Sequence, residues 1–253
     1  MPDPCRCCPP SVARRALLCA AVAGAVRPGG ATAADHVSPG LRLPAAGAAP
    51  RVALTIDACS GAADMRVIGG LLNLGIPATV FATARWIRAN PSTVALLRDR
   101  RDLFALQNHG DRHVPAILGT GRLFGLPVAG TIEAVRHEVS GGASAIAATG
   151  APAPGWYRGA TALYSPAAIE AIRAMDLRIA GYSVNGDEGA SLPAAAVARR
   201  IAAARDGDVI IAHTNRPDRP SGPGVIEGVA QLKARGYAFA WLDTAQETAF
   251  TTR

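Results

Sequence analysis

Short, almost wholly apolar runs recur along this chain, each followed by a stretch in which apolar residues return every three or four positions. Val52-Ala53-Leu54-Thr55-Ile56 is one such run, and residues 64–74 behind it have helical spacing ending at Gly75. Strand-like runs follow at 78–82, 103–106, 178–184, 208–212 and 237–242. Helical spacing occupies 84–98, 131–149, 166–175, 193–205 and 225–235. A strand apolar on both faces must be covered on both faces, and intervening helices supply the cover. The pattern therefore predicts a parallel sheet wrapped by helices. About six or seven β/α units suit a barrel or a doubly wound sheet, with no repeat or second-domain boundary. With 49% hydrophobic residues, 253 residues suffice for one large α/β core.

The opening of the chain has a different character. Arg14-Arg15 precedes a short apolar stretch, 16–26, and then Ala31-Thr32-Ala33. A basic flank, a brief hydrophobic run and a small-x-small site are the parts of a secretory signal, so residues 1–33 are expected to be a leader cleaved near Ala33. The run is too short to span a bilayer stably, and the expected location is exported, periplasmic or secreted. Cys5, Cys7 and Cys8 are unusual in such a leader. Residues 34–50, rich in Ala, Gly and Pro, read as a linker before a domain at 51–253. Losing residues 1–33 removes four arginines and one aspartate, so the formal net charge falls from +7 to +4. No Lys/Arg cluster interleaved with aromatics is present, and a nucleic-acid partner is not expected. Cys59 would be the one remaining cysteine, which excludes an internal disulfide.

Polar residues stand where the apolar runs stop. Asp57 ends the first strand, and the third leads into Gln107-Asn108-His109-Gly110-Asp111-Arg112-His113. Arg158 follows Gly155-Trp156-Tyr157, Asn185 and Asp187 follow the 178–184 run, and His213 ends the 208–212 run. Each alone has an ordinary reading as a helix cap, a packed histidine or a surface charge. In a parallel β/α fold, however, all strand C-termini open on one face, where active sites form. His109 and His113, four residues apart, share one face of a helix or tight loop and make a two-imidazole site for a divalent cation such as zinc. Trp156-Tyr157 could stack on a ligand or pack in the core. The Arg-, Pro- and Gly-rich loop at 215–224 could border a groove.

Leu54-Thr55-Ile56-Asp57, Asn108-His109-Gly110-Asp111-Arg112-His113, Tyr157-Arg158-Gly159-Ala160-Thr161 and Val209-Ile210-Ile211-Ala212-His213 occur in the order found in NodB-homology polysaccharide deacetylases. The chain resembles that family over about residues 50–245. The resemblance implies a distorted (β/α) barrel of about seven strands in a single domain. It also implies a metal-dependent hydrolase that removes N-acetyl groups from an amino-sugar glycan of peptidoglycan, chitin-like or exopolysaccharide type. Carried over by position, Asp57 is the general base, His109 and His113 are metal ligands, Arg158 orients the base, His213 is the general acid, and Asp187 holds that histidine. The chemistry is self-consistent. A bound divalent metal activates water, an ionised carboxylate takes its proton, and a charged histidine protonates the departing amine.

The chain departs from the family at two places. Its first motif reads Asp57-Ala58 where the family has two aspartates, and alanine cannot ligate metal. Asp64 or Asp57 itself is expected to supply the third ligand, with the Cys59 thiolate behind them. Asn185-Gly186-Asp187 also lacks the tryptophan that usually follows. Two alternative functions follow: a hydrolase of non-sugar amides on the same fold, and a catalytically degenerate carbohydrate-binding protein.

Overall fold

The computed structural model of the protein describes residues 36–44 and 49–252, and the expected leader lies outside them. Strands β1 (Val37–Arg42) and β2 (Arg51–Ala58) are followed by α1 (Met65–Leu74), β3 (Ala78–Ala82), α2 (Ala84–Ala89), α3 (Pro91–Asp99) and β4 (Phe104–Asn108). A small hairpin, β5 (Arg122–Leu123) and β6 (Leu126–Pro127), precedes α4 (Ile132–Ala148), β7 (Trp156–Tyr157) and α5 (Pro166–Arg173). Then come β8 (Arg178–Ile179), β9 (Val184–Asn185), α6 (Ala194–Ala202), β10 (Val209–His213), α7 (Ser221–Ala234), β11 (Ala238–Phe239) and β12 (Gln246–Thr252).

The main sheet runs β8-β7-β4-β3-β2-β10-β9, and every pairing in it is parallel. β11 runs parallel beside the first residues of β2. The outermost strands, β8 and β9, are consecutive in sequence, with residues 180–183 between them. Five Cα–Cα steps reach at most about 18 Å, whereas a flat seven-strand sheet is about 29 Å across. The sheet therefore has to curl, and the fold is the expected single-domain distorted barrel. Residues 178–184 are two strands at opposite edges of the sheet, where one strand was expected.

Alternation along β2 sorts its side chains. Val52, Leu54, Ile56 and Ala58 face outward into a large core shared with α1, α3, α6 and α7. Ala53 faces inward against Phe81, Trp156 and Val209, and Thr55 and Asp57 share that inner face, bonded to Arg158 from across the barrel. Leu41 and Leu43 close this inner cluster. They belong to the stretch expected to be a linker, and that expectation is corrected: β1 pairs antiparallel with β12 and buries Val37 and Leu41. Each leucine so buried contributes about 1.5–3 kcal/mol, which an Ala/Gly/Pro-rich composition does not advertise.

Other differences have local causes. The helix expected over 84–98 breaks at Asn90 (φ −130°), because Pro91 disfavours helical geometry in the residue before it. The helix α7 starts a turn earlier than expected, inside a Gly/Pro-rich stretch. Its glycines allow close approach to α6: a Cβ at Gly224 would strike the Ala194 carbonyl, and one at Gly228 would lie 2.6 Å from Ile201 Cβ. Among the described residues no helix is long and apolar enough to cross a membrane.

Candidate metal and hydrolytic centre

Strand register gathers the polar residues. His213 is level with Asp57 on neighbouring strands β10 and β2. Asn108 is level with Ala82 on one side and Tyr157 on the other, so His109 and Arg158, one residue further on, emerge at the same end of the barrel. Asp57, His109, Arg158, Asp187 and His213 are all buried, and the structure brings together the five residues expected there.

Arg158 crosses the barrel interior with its guanidinium 4.3 Å from the centre of the Phe81 ring. Its Nη1 donates to Thr55 Oγ1 and Asp57 Oδ1, both at 2.8 Å. Its Nε and Nη2 donate to the carbonyls of Ala180 (3.1 Å) and Gly181 (2.9 Å). Those carbonyls lie in the segment joining β8 to β9, so one side chain both staples the seam of the barrel and orients the carboxylate. Burial pushes the Asp57 carboxyl up, but the positive charge and hydrogen bond of Arg158, with His109 and His213 nearby, outweigh it and hold Asp57 below the usual carboxylate range.

His109 is oriented by the backbone. Its Nδ1 lies 2.6 Å from the Arg158 carbonyl, an acceptor, so Nδ1 carries the proton and Nε2 presents its lone pair to the site. Burial lowers the pKa of His109. Burial also lowers that of His113, further still, aided by the proximity of His109. Both imidazoles are thus neutral at physiological pH, the form that ligates metal. His113 Nε2 is buried with no hydrogen-bond partner.

Cys59, His109 and His113 each offer a ligand atom within 4.8 Å of the others, and among the described residues this is the one such group of three. Cys59 Sγ is 3.5 Å from His109 Nε2, and Asp57 Oδ2 is 3.6 Å from the same nitrogen. Two neutral imidazoles, one of them with an orphaned ring nitrogen, and a thiol are a donor set that fits a borderline divalent metal. Asp64 stands elsewhere, which corrects its expected place as third ligand. Its carboxylate caps α1 through the Arg66 N–H (3.0 Å). It also receives both the Nε (2.8 Å) and Nη2 (2.6 Å) of Arg66. A helix N-terminus and a bidentate guanidinium satisfy it, so nothing directs it to the histidines.

The loop carrying the histidines is held from below by a residue the sequence did not single out. Glu138, on α4, accepts the backbone N–H of Arg112 (2.9 and 3.1 Å) and of Val114 (3.0 Å). Burial raises its carboxyl while these donors draw it back. The grip fixes His113 between them in the left-handed region, φ 68°, a costly conformation for a residue with a Cβ. Gly110 (φ 91°) could not be replaced beneath it, since a Cβ there would collide with Glu138 Oε1. Asn108 ties the same loop to α4 by donating to the Val139 carbonyl (2.8 Å) and accepting the Gly110 N–H (2.8 Å). Glu138 was visible in principle: Val135, Val139, Gly142 and Ile146 form the buried stripe of α4, and a charged residue at 138 interrupts that stripe. Glu138→Ala is expected to leave the fold intact and weaken metal binding about 10–100-fold, measured by titration. Unchanged affinity would remove Glu138 from this role.

Asp187 grips His213 twice, accepting its backbone N–H at 2.8 Å and facing its Nδ1 at 2.8 Å. Burial alone would lower the histidine, but the Asp187 charge and hydrogen bond prevail and its pKa is raised. His213 Nε2 is buried and unpartnered. Trp156 and Tyr157 are buried, so neither is an open platform for a sugar, and Trp156 packs under the Arg178 guanidinium.

The same arrangement of elements recurs in solved structures. A T48 deacetylase with substrate superposes with a TM-score of 0.62 at 20% identity, over 78% of this chain and 90% of that one. A family 4 carbohydrate esterase from Streptomyces lividans in complex with acetate gives 0.60 at 20% identity, over 77% and 94%. A CE4 family pseudoenzyme from Bacillus anthracis gives 0.60 at 16% identity, over 76% and 63%. No curated protein matches the chain. Residues 45–180 match the polysaccharide deacetylase family; spanning more than half of the sequence, and enclosing Asp57, Cys59, His109, His113 and Arg158, that match makes this chain a member of the polysaccharide deacetylase family.

Proposed function

We propose that the protein is a metal-dependent deacetylase that hydrolyses the N-acetyl groups of an amino-sugar glycan. The observation that carries this reading is the placement of two oppositely tuned pairs, Asp57–Arg158 and His213–Asp187, at one end of the barrel with the Cys59–His109–His113 group. A divalent metal held by that group, zinc being the one its donors suit, would supply Lewis acidity toward the acetyl carbonyl and toward water. Asp57, ionised and fixed by Arg158, takes the proton of the attacking water. His213, charged because of Asp187, gives a proton from Nε2 to the amine nitrogen as the C–N bond breaks, so the amine departs neutral and acetate is released. Expelling an amine is the step that most needs an acid, and a pure binding protein has no use for a base and an acid tuned in opposite directions.

An exported location, expected from the leader-like opening, suits a glycan of the cell envelope or the medium. The test is acetate release by the zinc-loaded protein from N-acetylated chitin-type oligomers and peptidoglycan fragments. Release from at least one of them is expected. A metal-replete protein that binds these glycans and releases no acetate would overturn the reading in favour of the degenerate alternative. Turnover restricted to small non-sugar acetamides would favour the other.

A further inference from the structure

We propose that Cys59 supplies the third protein ligand, as a thiolate, so that this chain holds its metal in a Cys-His-His site selective for zinc-like over magnesium- and manganese-like ions. The proposal builds on the metal-dependent reading above and goes past it, because it names a ligand of different chemistry from the carboxylate expected at this place.

Four observations converge on Cys59. The first is spacing: in a tetrahedral site with Zn–S near 2.3 Å and Zn–N near 2.05 Å, the sulfur–nitrogen edge is about 3.6 Å, and Cys59 Sγ stands 3.5 Å from His109 Nε2. The second is the lone pair on that Nε2, exposed toward the sulfur because Nδ1 is committed to the Arg158 carbonyl. The third is the second imidazole, whose Nε2 is buried without any partner. The fourth is that competing carboxylates fit less well. Asp57 Oδ1 is held by Arg158, and although its Oδ2 lies 3.6 Å from His109 Nε2, Asp57 is not in the group whose ligand atoms all lie within 4.8 Å of one another. Asp64 is held by Arg66. Ala58 packs into the outer core with Leu54 and Ile56, so strand alternation turns position 58 away from the site. Position 59 lies just past the strand end, its carbonyl pinned by the Thr83 hydroxyl at 2.7 Å.

On binding, the Cys59 thiol gives up its proton to solvent, and the thiolate forms the bond to the metal; no electron transfer is involved. A soft sulfur donor favours zinc or cobalt over the oxygen-seeking ions. It also leaves Asp57 free of the metal and available as the base.

Cobalt(II) substituted into the full chain reports the bond directly. The parent is expected to show the near-ultraviolet sulfur-to-cobalt charge-transfer band, and Cys59→Ser to lose it. The substitution should also weaken cobalt binding by more than the roughly 10–100-fold typical of a residue that only orients a ligand. In competition, excess magnesium or manganese should fail to displace zinc from the parent. Cobalt bound to the parent without the band, or equal affinity in Cys59→Ser, would overturn the assignment. If Cys59→Ser does not fold, the spectrum of the parent alone decides. Acetate release without the band would sink the thiolate ligand and leave the deacetylase reading standing; the band without acetate release would do the reverse.

Discussion

His213→Ala will lower kcat on an N-acetylated glycan by about 10²–10⁴-fold, the usual contribution of a positioned acid, while leaving metal content near that of the parent and lowering the melting temperature, because the buried Asp187 carboxylate loses its charged partner. His213 is not in the group that would hold metal. Its ring is held by Asp187 alone among the described residues, with Nε2 unpartnered, so removing it leaves one acceptor unpaired, Asp187 Oδ1, while Oδ2 keeps the backbone N–H at position 213. The pH dependence has a definite sign. A raised pKa keeps the active, protonated His213 present above the ordinary histidine range, and a lowered one keeps Asp57 ionised well into acid. Activity should therefore hold between these limits and fall on the alkaline side as His213 loses its proton. Asp187→Asn should draw that alkaline limb toward lower pH. Turnover by His213→Ala within threefold of the parent would remove it as the acid.

Arg158→Met will destabilise the protein by about 3–5 kcal/mol, the range found when one member of a buried ion pair is deleted. For a domain of this size that lowers Tm by roughly 6–20 °C. Methionine fills much of the same volume, so the loss is electrostatic: Asp57 becomes a buried carboxylate without its cation, and the Ala180 and Gly181 carbonyls lose their donors at the barrel seam. Without Arg158, burial pushes the Asp57 carboxyl above its unfolded value. The variant's deficit should then be smallest at acid pH, where Asp57 is protonated, and deepen as pH rises. Thermal melts of parent and variant across pH check both magnitude and sign. A shift under 2 °C at neutral pH would mean that Arg158 is not the staple.

The parts of the fold that could be read from the sequence are those whose causes are local. Residues 52–56 and 209–212 are almost wholly apolar, and β2 and β10 are buried nearly throughout. Residues 64–74 carry a cap at each end and form α1 as expected. What could not be read depends on distant partners. Leu41 and Leu43 belong to the core because of Ala53, Phe81 and Trp156, none of them near in sequence. Arg178–Ile179 and Val184–Asn185 read as one strand because nothing local records that they pair with β7 and β10 at opposite edges. The glycines opening α7 look like a loop until α6 is set against them.

The site divides in the same way. Asp57, His109, Arg158 and His213 are legible because a polar residue ending an apolar run declares itself, and Asp187 because it sits just beyond another such run. Asp64 misled because proximity in sequence to Asp57 is not proximity in space: it is drawn to Arg66 and the start of α1. Cys59 ranks behind Asp64 and Asp57 in the sequence because a lone cysteine at a strand end has the same appearance packed or ligating. Only the position of its sulfur beside His109 Nε2 separates the two.

Chelation and reconstitution, followed by acetate release, test the central claim most directly. Protein stripped of metal should release no acetate from an N-acetylated oligosaccharide. Addition of one equivalent of zinc per chain should restore release in the parent and in no preparation of His109→Ala, which should retain no metal after dialysis. Equal metal content in His109→Ala and the parent, or acetate release that survives chelation, would contradict the assignment of this barrel end as a metal-dependent hydrolytic centre.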